Sequence, residues 1–354
     1  HQPRRQRQMC IRDRFSSIEG VVGSGFSDLL IGSSVSETLA GGFGDDTFVG
    51  GGGLDVLAGG SGEDVFEVDA SLGGTIEGGA GTDILSLVGI SSDALVSGVE
   101  FVVGGSGSDR LTVTTNDVQR VVGGRGADEV LLTSSAGHDV ELGGVEFVVG
   151  GSGSDRLTVT TNDVQQISGG DGLDEVLLST SSGTTLLLDG VEFVVGGSGS
   201  DRLTVTTNDV QRVVGGRGAD EVLLTSSAGH DVELGGVEFV VGGSGSDRLT
   251  VTTNDVQQIS GGDGLDEVLL STSSGTTLLL DGVEFVVGGS GSDRLTVTDG
   301  TSVVIDGGLG NDTLVGGFGD DTLIGGSGDD VFVVDGGEDL IDGGLGQDLS
   351  LIHI

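Results

Sequence analysis

The chain has no tryptophan and no tyrosine, and among its 354 residues there is one proline, one cysteine and one methionine. The lone Cys10 excludes a disulfide framework and a thiolate zinc site. One proline beside 73 glycines excludes collagen, which needs both in a strict three-residue period. With only 12 phenylalanines as aromatics, a core must be built from Leu, Val and Ile. That suits thin repeated layers better than one thick centre. No run of about 18 apolar residues exists, so no membrane span is expected. Lysine is also missing, and five of the fourteen arginines fall in the first fourteen residues. Against 56 acidic residues this leaves a net charge of -42. Such a chain repels nucleic acid and anionic membrane surfaces, and no nucleic-acid partner is expected. Compact, it would also repel itself unless cations neutralise it, which points to a divalent metal.

What the chain has in abundance is self-similarity. The pattern Gly-Gly-x-Gly-x-Asp-x-(aliphatic or Phe)-x begins at Gly41, Gly50, Gly59 and Gly78. It recurs at Gly104, Gly123, Gly150, Gly169, Gly196, Gly215, Gly242, Gly261 and Gly288, then in tandem at Gly307, Gly316 and Gly325. A fixed period of this kind is the mark of a solenoid. Part of it is duplication, since Gly104–Val195 reappears letter for letter as Gly196–Val287.

The nonapeptide explains itself chemically. In GGFGDDTFV at Gly41, six residues make a turn and three a short strand. Glycines allow positive φ, so the backbone curls and turns its carbonyl oxygens inward. The sixth residue adds a carboxylate, and the eighth points to the interior because strand side chains alternate. Carbonyls and carboxylates are hard oxygen ligands, and six to eight of them make a calcium site. One turn cannot supply that many. Two nonapeptides form about one coil of 18 residues, so each repeat lies over the next but one. The reading pairs Asp46 with Asp64, Asp312 with Asp330, and Asp321 with Asp339. Asp55 faces Glu37, a degenerate position, in a weaker site. The candidate ligands are the carboxylates of Asp46, Asp55, Asp64, Asp83, Asp109, Asp128, Asp155, Asp174, Asp201, Asp220, Asp247, Asp266, Asp293, Asp312, Asp321, Asp330 and Asp339. In the tandem blocks they are joined by the turns of Gly42, Gly44, Gly51, Gly53, Gly60, Gly62, Gly308, Gly310, Gly317, Gly319, Gly326 and Gly328.

GGFGDDTFV, GGLGNDTLV and GGSGDDVFV resemble the haemolysin-type calcium-binding repeats of RTX proteins. The resemblance covers most of residues 23 to 349. It implies an all-β fold, a right-handed parallel β-roll or β-solenoid, with several Ca2+ ions as cofactors. It also implies folding outside a calcium-poor cytoplasm and export by type I secretion machinery.

The organisation follows from phase. Residues 15–67 form a tandem calcium-repeat block, 68–103 connecting coils, 104–298 a spaced array, and 299–349 a second tandem block. The basic start, 1–14, contains MCIRDR, and the end, 350–354, falls in LSLIHI. Both resemble translated sequencing-adapter read-through and are set aside as non-native, so the natural protein is expected to extend past them. In the array, steps of 19 residues alternate with steps of 27. A step of 19 is one coil plus one residue, so Asp109 should stack with Asp128, Asp155 with Asp174, Asp201 with Asp220, and Asp293 with Asp312. A step of 27 is three half-turns, which moves the next motif to the opposite edge, and 92 residues restore the phase. The rival is one wide coil with every motif on a single edge.

Nothing else in the sequence assembles a catalytic group. His138 and His230, copies of one position in SSAGHDV, read as exposed corner residues. Arg110, Arg156, Arg202, Arg248 and Arg294 read as surface charge balancing acidic neighbours. No nucleophile has a base, no GKS or GKT follows the glycines, and no small-molecule substrate is indicated. The expectation is a non-enzymatic, secreted or cell-surface calcium-binding segment acting as spacer or secretion-coupled module. The alternative is the C-terminal region of a secreted hydrolase, or of a cytolytic toxin, whose active domain lies elsewhere.

Overall fold

A computed structural model describes residues 19–70 and 73–352. The basic segment 1–14 lies outside them. The chain falls into two compact units, His1–Gly172 and Leu173–Ile354. Among the described residues there are strands and turns and no helix, hence no helix long and apolar enough to cross a membrane.

In the first unit successive strands go alternately to two sheets, and every pairing is parallel. One sheet stacks Leu29–Ile31, Thr47–Val49, Val65–Val68 and Ile84–Leu87, with Leu30, Phe48, Phe66 and Leu85 in register. The other stacks Gly20–Val22, Thr38–Phe43, Asp55–Ser61 and Gly74–Ala80. A strand therefore pairs with the next but one, as a two-sided coil requires. The path continues through Asp93–Ser97 and Phe101–Val103 into the array strands Arg110–Val113 and Arg120–Val122.

The second unit repeats the scheme. Arg202–Val205, Glu221–Leu224, Phe239–Val241, Gln258–Ser260, Thr277–Asp281 and Arg294–Val297 are consecutive layers of one sheet. Leu203 and Leu295 thus stand 92 residues and five coils apart. The last strand, Leu349–Ile352, pairs with Val331–Val334, so the 350–354 segment begins inside a strand.

The eighth nonapeptide position supplies the core. Phe48, Leu57, Phe66, Leu85, Leu111, Val130 and Leu157 are all buried, as are Leu203, Leu249, Leu295, Leu314, Leu323 and Phe332. Phe48 and Phe66 stack with ring centroids 4.6 Å apart and an interplanar angle of 14°. Each such layer removes one or two side chains from water, about 1.5–3 kcal/mol apiece. The strands read exposed-buried-intermediate-buried, as in Arg110–Val113, so one face of each sheet remains solvated.

Arg110, Arg202 and Arg248 stand on that outer face, 3.2–3.3 Å from Glu129, Glu221 and Glu267 respectively. Such half-exposed pairs contribute about 0.2–1 kcal/mol. They are the surface charge balance expected from the sequence.

Candidate metal centre

Every turn of the GGxGxD type lies at an edge of the coil, between the two sheets. In the first unit, Asp46, Asp64 and Asp83 precede strands of one sheet. Asp55 begins a strand of the other, and Asp109 and Asp128 precede strands of it. Asp155 introduces Arg156–Val159, which pairs with Asp139–Gly143 of the sheet opposite to that of Glu129–Leu132. Asp128 and Asp155 are therefore on opposite edges. Motifs alternate, and the single-edge rival is excluded. In the second unit Asp201, Asp220, Asp293, Asp312 and Asp330 share one edge, while Asp247, Asp266, Asp321 and Asp339 share the other.

Along each edge the aspartates form a ladder. Oδ1 of each accepts the backbone N–H of the residue one coil earlier. Asp46 takes it from Asp28, Asp64 from Asp46, and Asp83 from Asp64, at 2.7–2.8 Å. Asp55 takes it from Glu37 at 3.0 Å. The array and the C-terminal block do the same, with Asp128 accepting from Asp109, Asp220 from Asp201, Asp266 from Asp247, Asp312 from Asp293 and Asp330 from Asp312. Of the pairs read from spacing, Asp46–Asp64, Asp109–Asp128, Asp201–Asp220, Asp293–Asp312, Asp312–Asp330 and Asp321–Asp339 are thus stacked neighbours, as are Glu37 and Asp55.

At Asp109 and Asp201 the second carboxylate oxygen accepts the N–H of Gly105 and Gly197, at 2.9 and 3.2 Å. At most of the others it has no partner. Oδ2 of Asp46, Asp55, Asp64, Asp83, Asp128, Asp220, Asp247, Asp266, Asp293, Asp312, Asp321 and Asp330 is buried and accepts no hydrogen bond. A buried charged oxygen left unpaired costs several kcal/mol. Its surroundings are oxygen-rich. A methyl group built on Gly307 would lie 2.6 Å from Asp312 Oδ2 and 2.8 Å from the Gly325 carbonyl oxygen, so those two atoms flank one point. Gly41 stands likewise between Asp46 Oδ2 and the Gly59 carbonyl, and Gly325 between Asp330 Oδ2 and the Gly343 carbonyl.

The turn glycines make this approach possible. Gly42 and Gly44 have φ of 112° and 108°, left-handed values that an L side chain rarely adopts. In the next coil, the carbonyls of Gly42 and Gly44 face Gly60 and Gly62 so closely that any Cβ there would collide with them. All the candidate glycines share the left-handed φ except Gly319.

The electrostatics point the same way. Burial raises the pKa of Asp46, Asp83 and Asp312 to about 6, against partial compensation by the ladder N–H and with further upward pressure from neighbouring carboxylates. Burial raises Asp55, Asp64, Asp128, Asp220, Asp266, Asp293 and Asp321 as well. Among the described residues no three His, Cys, Asp or Glu side chains converge on one point. An ion held here draws most of its ligands from backbone carbonyls, a donor set that suits calcium and not zinc. The residues present fit a hard divalent cation.

Two features were not legible in the spacing. His138 and His230 are not exposed corners. Each is buried, with Nδ1 2.9 Å from Oδ1 of Asp155 and Asp247 respectively, the same oxygen that accepts the histidine's own N–H. The imidazole follows a glycine in a turn that stacks under an aspartate turn. Sequence gave no sign that the ladder would carry it inward. The second feature is a set of glutamates in GVEFVV segments. Glu100 Oε2 accepts the Asp83 N–H at 2.6 Å, and Glu146 Oε2 accepts that of Asp128 at 2.7 Å. They take the aspartate's ladder position at corners without the motif. The repeated Gly-Val-Glu triplet before Phe-Val-Val was the available signal.

Residues 31–66 match the model of the RTX calcium-binding nonapeptide repeat, as do the overlapping stretches 287–323, 306–341 and 315–349. No curated protein matches the chain. The matched stretches centre on the two blocks where nonapeptides run in tandem, and repeats of this family bind Ca2+. The chain is a β-solenoid that carries RTX calcium-binding nonapeptide repeats.

Proposed function

We propose that this chain is a calcium-folded segment of a secreted or cell-surface protein, serving as a spacer or secretion-coupled module with no reaction centre of its own. The observation that carries the reading is the row of buried Oδ2 atoms that accept no hydrogen bond, all of which except those of Asp55 and Asp321 lie beside a glycine carbonyl. Folding brings these carboxylates together at a cost that a bound cation removes. Turns such as Asp46–Gly59 and Asp312–Gly325 supply an Asp Oδ2 and a glycine carbonyl on successive coils. The Asp residues hold charge, and the glycines hold the carbonyls in place.

Calcium at the millimolar level of extracellular fluids exceeds the weak affinities typical of extracellular modules. A ligand that binds only the folded state stabilises it by mass action. In a calcium-poor cytoplasm the same chain, with net charge -42, stays expanded. That is the form a type I export channel would accept. Circular dichroism of the chain tests the reading: coil in chelator and strand after millimolar calcium are expected. A fully stranded spectrum in chelator at neutral pH overturns it.

A further inference from the structure

The segments Gly98–Glu100, Gly144–Glu146, Gly190–Glu192, Gly236–Glu238 and Gly282–Glu284 all read Gly-Val-Glu and lie outside the stretches that match the nonapeptide repeat. Each corner is shorter than a GGxGxD turn and lacks its aspartate. The glutamate nevertheless reaches the ladder. Glu192 Oε2 accepts the Asp174 N–H at 2.7 Å, Glu238 that of Asp220 at 2.6 Å, and Glu284 that of Asp266 at 2.8 Å, matching Glu100 and Glu146. One more methylene in the side chain spans the distance that the shorter corner leaves.

The glycine of each segment has φ between 55° and 59°. At four of them the consequence is visible. The carbonyl of Gly98 closes on Gly78 together with Asp83 Oδ2, and that of Gly144 closes on Gly123 together with Asp128 Oδ2. Gly236 does the same at Gly215 with Asp220 Oδ2, and Gly282 at Gly261 with Asp266 Oδ2. These four Oδ2 atoms belong to aspartates no more than 1% exposed, and they accept no hydrogen bond. The same two kinds of oxygen meet in the tandem blocks at Gly307, between Asp312 Oδ2 and the Gly325 carbonyl. The glutamate adds negative charge beside each aspartate, one of the causes that raise the pKa of Asp83, Asp128, Asp220 and Asp266.

One coil beyond the glutamate the column of carboxylates is interrupted. The next corners carry Val118, Val164, Val210, Val256 and Val303, all buried, so an apolar side chain fills the place where a carboxylate would continue. We infer that the Gly-Val-Glu corners are calcium-site closers, each completing one further calcium site with the aspartate turn stacked before it. This deepens, and rests on, the reading of the chain as calcium-binding. The array then holds calcium both between paired aspartate turns and between an aspartate turn and its Gly-Val-Glu corner.

Equilibrium dialysis with radioactive calcium over a magnesium background tests it on the full chain. The variant carries Glu100→Gln, Glu146→Gln, Glu192→Gln, Glu238→Gln and Glu284→Gln, which keeps an acceptor oxygen for the ladder N–H but removes the charge. The control removes the same number of charges from the outer face, at Glu129, Glu141, Glu221, Glu233 and Glu267. The five-site variant is expected to bind one ion fewer per altered corner at the concentration that saturates the parent, with the control unchanged. Should the variant not fold in calcium, Glu284→Gln alone is expected to lose one ion. Equal ion counts in parent and folded variant, or equal losses in variant and control, overturn the inference. A parent chain that binds no calcium at all refutes the underlying reading instead.

Discussion

The backbone N–H of Asp46 donates to Oδ1 of Asp64, 18 residues and one coil later, at 2.7 Å. That bond uses one carboxylate oxygen to set the register of the stack and leaves the other, Asp64 Oδ2, buried and unbonded. A single residue thereby does two things: it ties neighbouring coils together and presents charge at the edge.

Calcium should fold the chain where magnesium does not. Ligands drawn from glycine carbonyls and single carboxylates sit on adaptable turns, whereas magnesium demands a tight octahedron and keeps its waters. Titrations followed by circular dichroism should show a strand transition at millimolar calcium and none at equal magnesium. Identical midpoints for the two metals would contradict the assignment.

Asp321→Ala should weaken calcium-dependent folding more than Arg294→Ala. Asp321 is 2% exposed, its Oδ1 accepts the Val303 N–H at 3.0 Å, and its Oδ2 has no hydrogen bond. Loss of the ladder acceptor leaves a donor unsatisfied, about 1–3 kcal/mol, and removes a proposed ligand. Arg294 is exposed, and its loss should cost less than about 0.5 kcal/mol. The calcium midpoint of the aspartate variant should rise severalfold, with that of the arginine variant unmoved. Superimposable titrations would refute the role given to Asp321.

Acid should act in opposite directions with and without calcium. Asp46, Asp83 and Asp312 have folded-state pKa values of about 6, above the ordinary carboxylate value of about 3.8. The metal-free folded chain therefore binds protons more tightly than the unfolded one. That contribution to stability is fully present below about pH 4 and is lost as pH rises through about 6. In chelator, strand content should be greater at pH 5 than at pH 7.5. With calcium, protons compete for the same oxygens, so the calcium midpoint should rise over the same interval. A midpoint that is flat from pH 7.5 to pH 5 would sink this account.

Gly60→Ala should be far more damaging than Gly300→Ala. Gly60 has φ of 113° and faces the Gly42 carbonyl, so a methyl group meets both backbone strain and a collision. The strain alone is about 1–2 kcal/mol. A methyl on Gly300 meets no atom within 4 Å, and there the loss of unfolded-state freedom should leave stability unchanged or raised by about 0.4–1 kcal/mol. Thermal unfolding in saturating calcium separates the two. Equal melting temperatures would show that the left-handed turn is not required.

Much of this protein was determined by spacing alone. A nine-residue period with glycine at its first, second and fourth places, aspartate at its sixth and an aliphatic or phenylalanine at its eighth yields a parallel two-sided coil. Only glycine tolerates the turn, and only an inward apolar residue can fill each layer. Phe48 over Phe66, Asp109 beside Asp128, and the switch of edge between Asp128 and Asp155 all follow from counting residues. Counting failed where a different residue type does the aspartate's job. Glu146 replaces the aspartate from a shorter corner, and His230 is buried against Asp247 although its local sequence is that of a polar loop. Their positions depend on what lies one coil away, 17 or 18 residues distant in sequence. The register of the stack decides which backbone N–H each acceptor meets, and that register exists only once the coils have closed on one another.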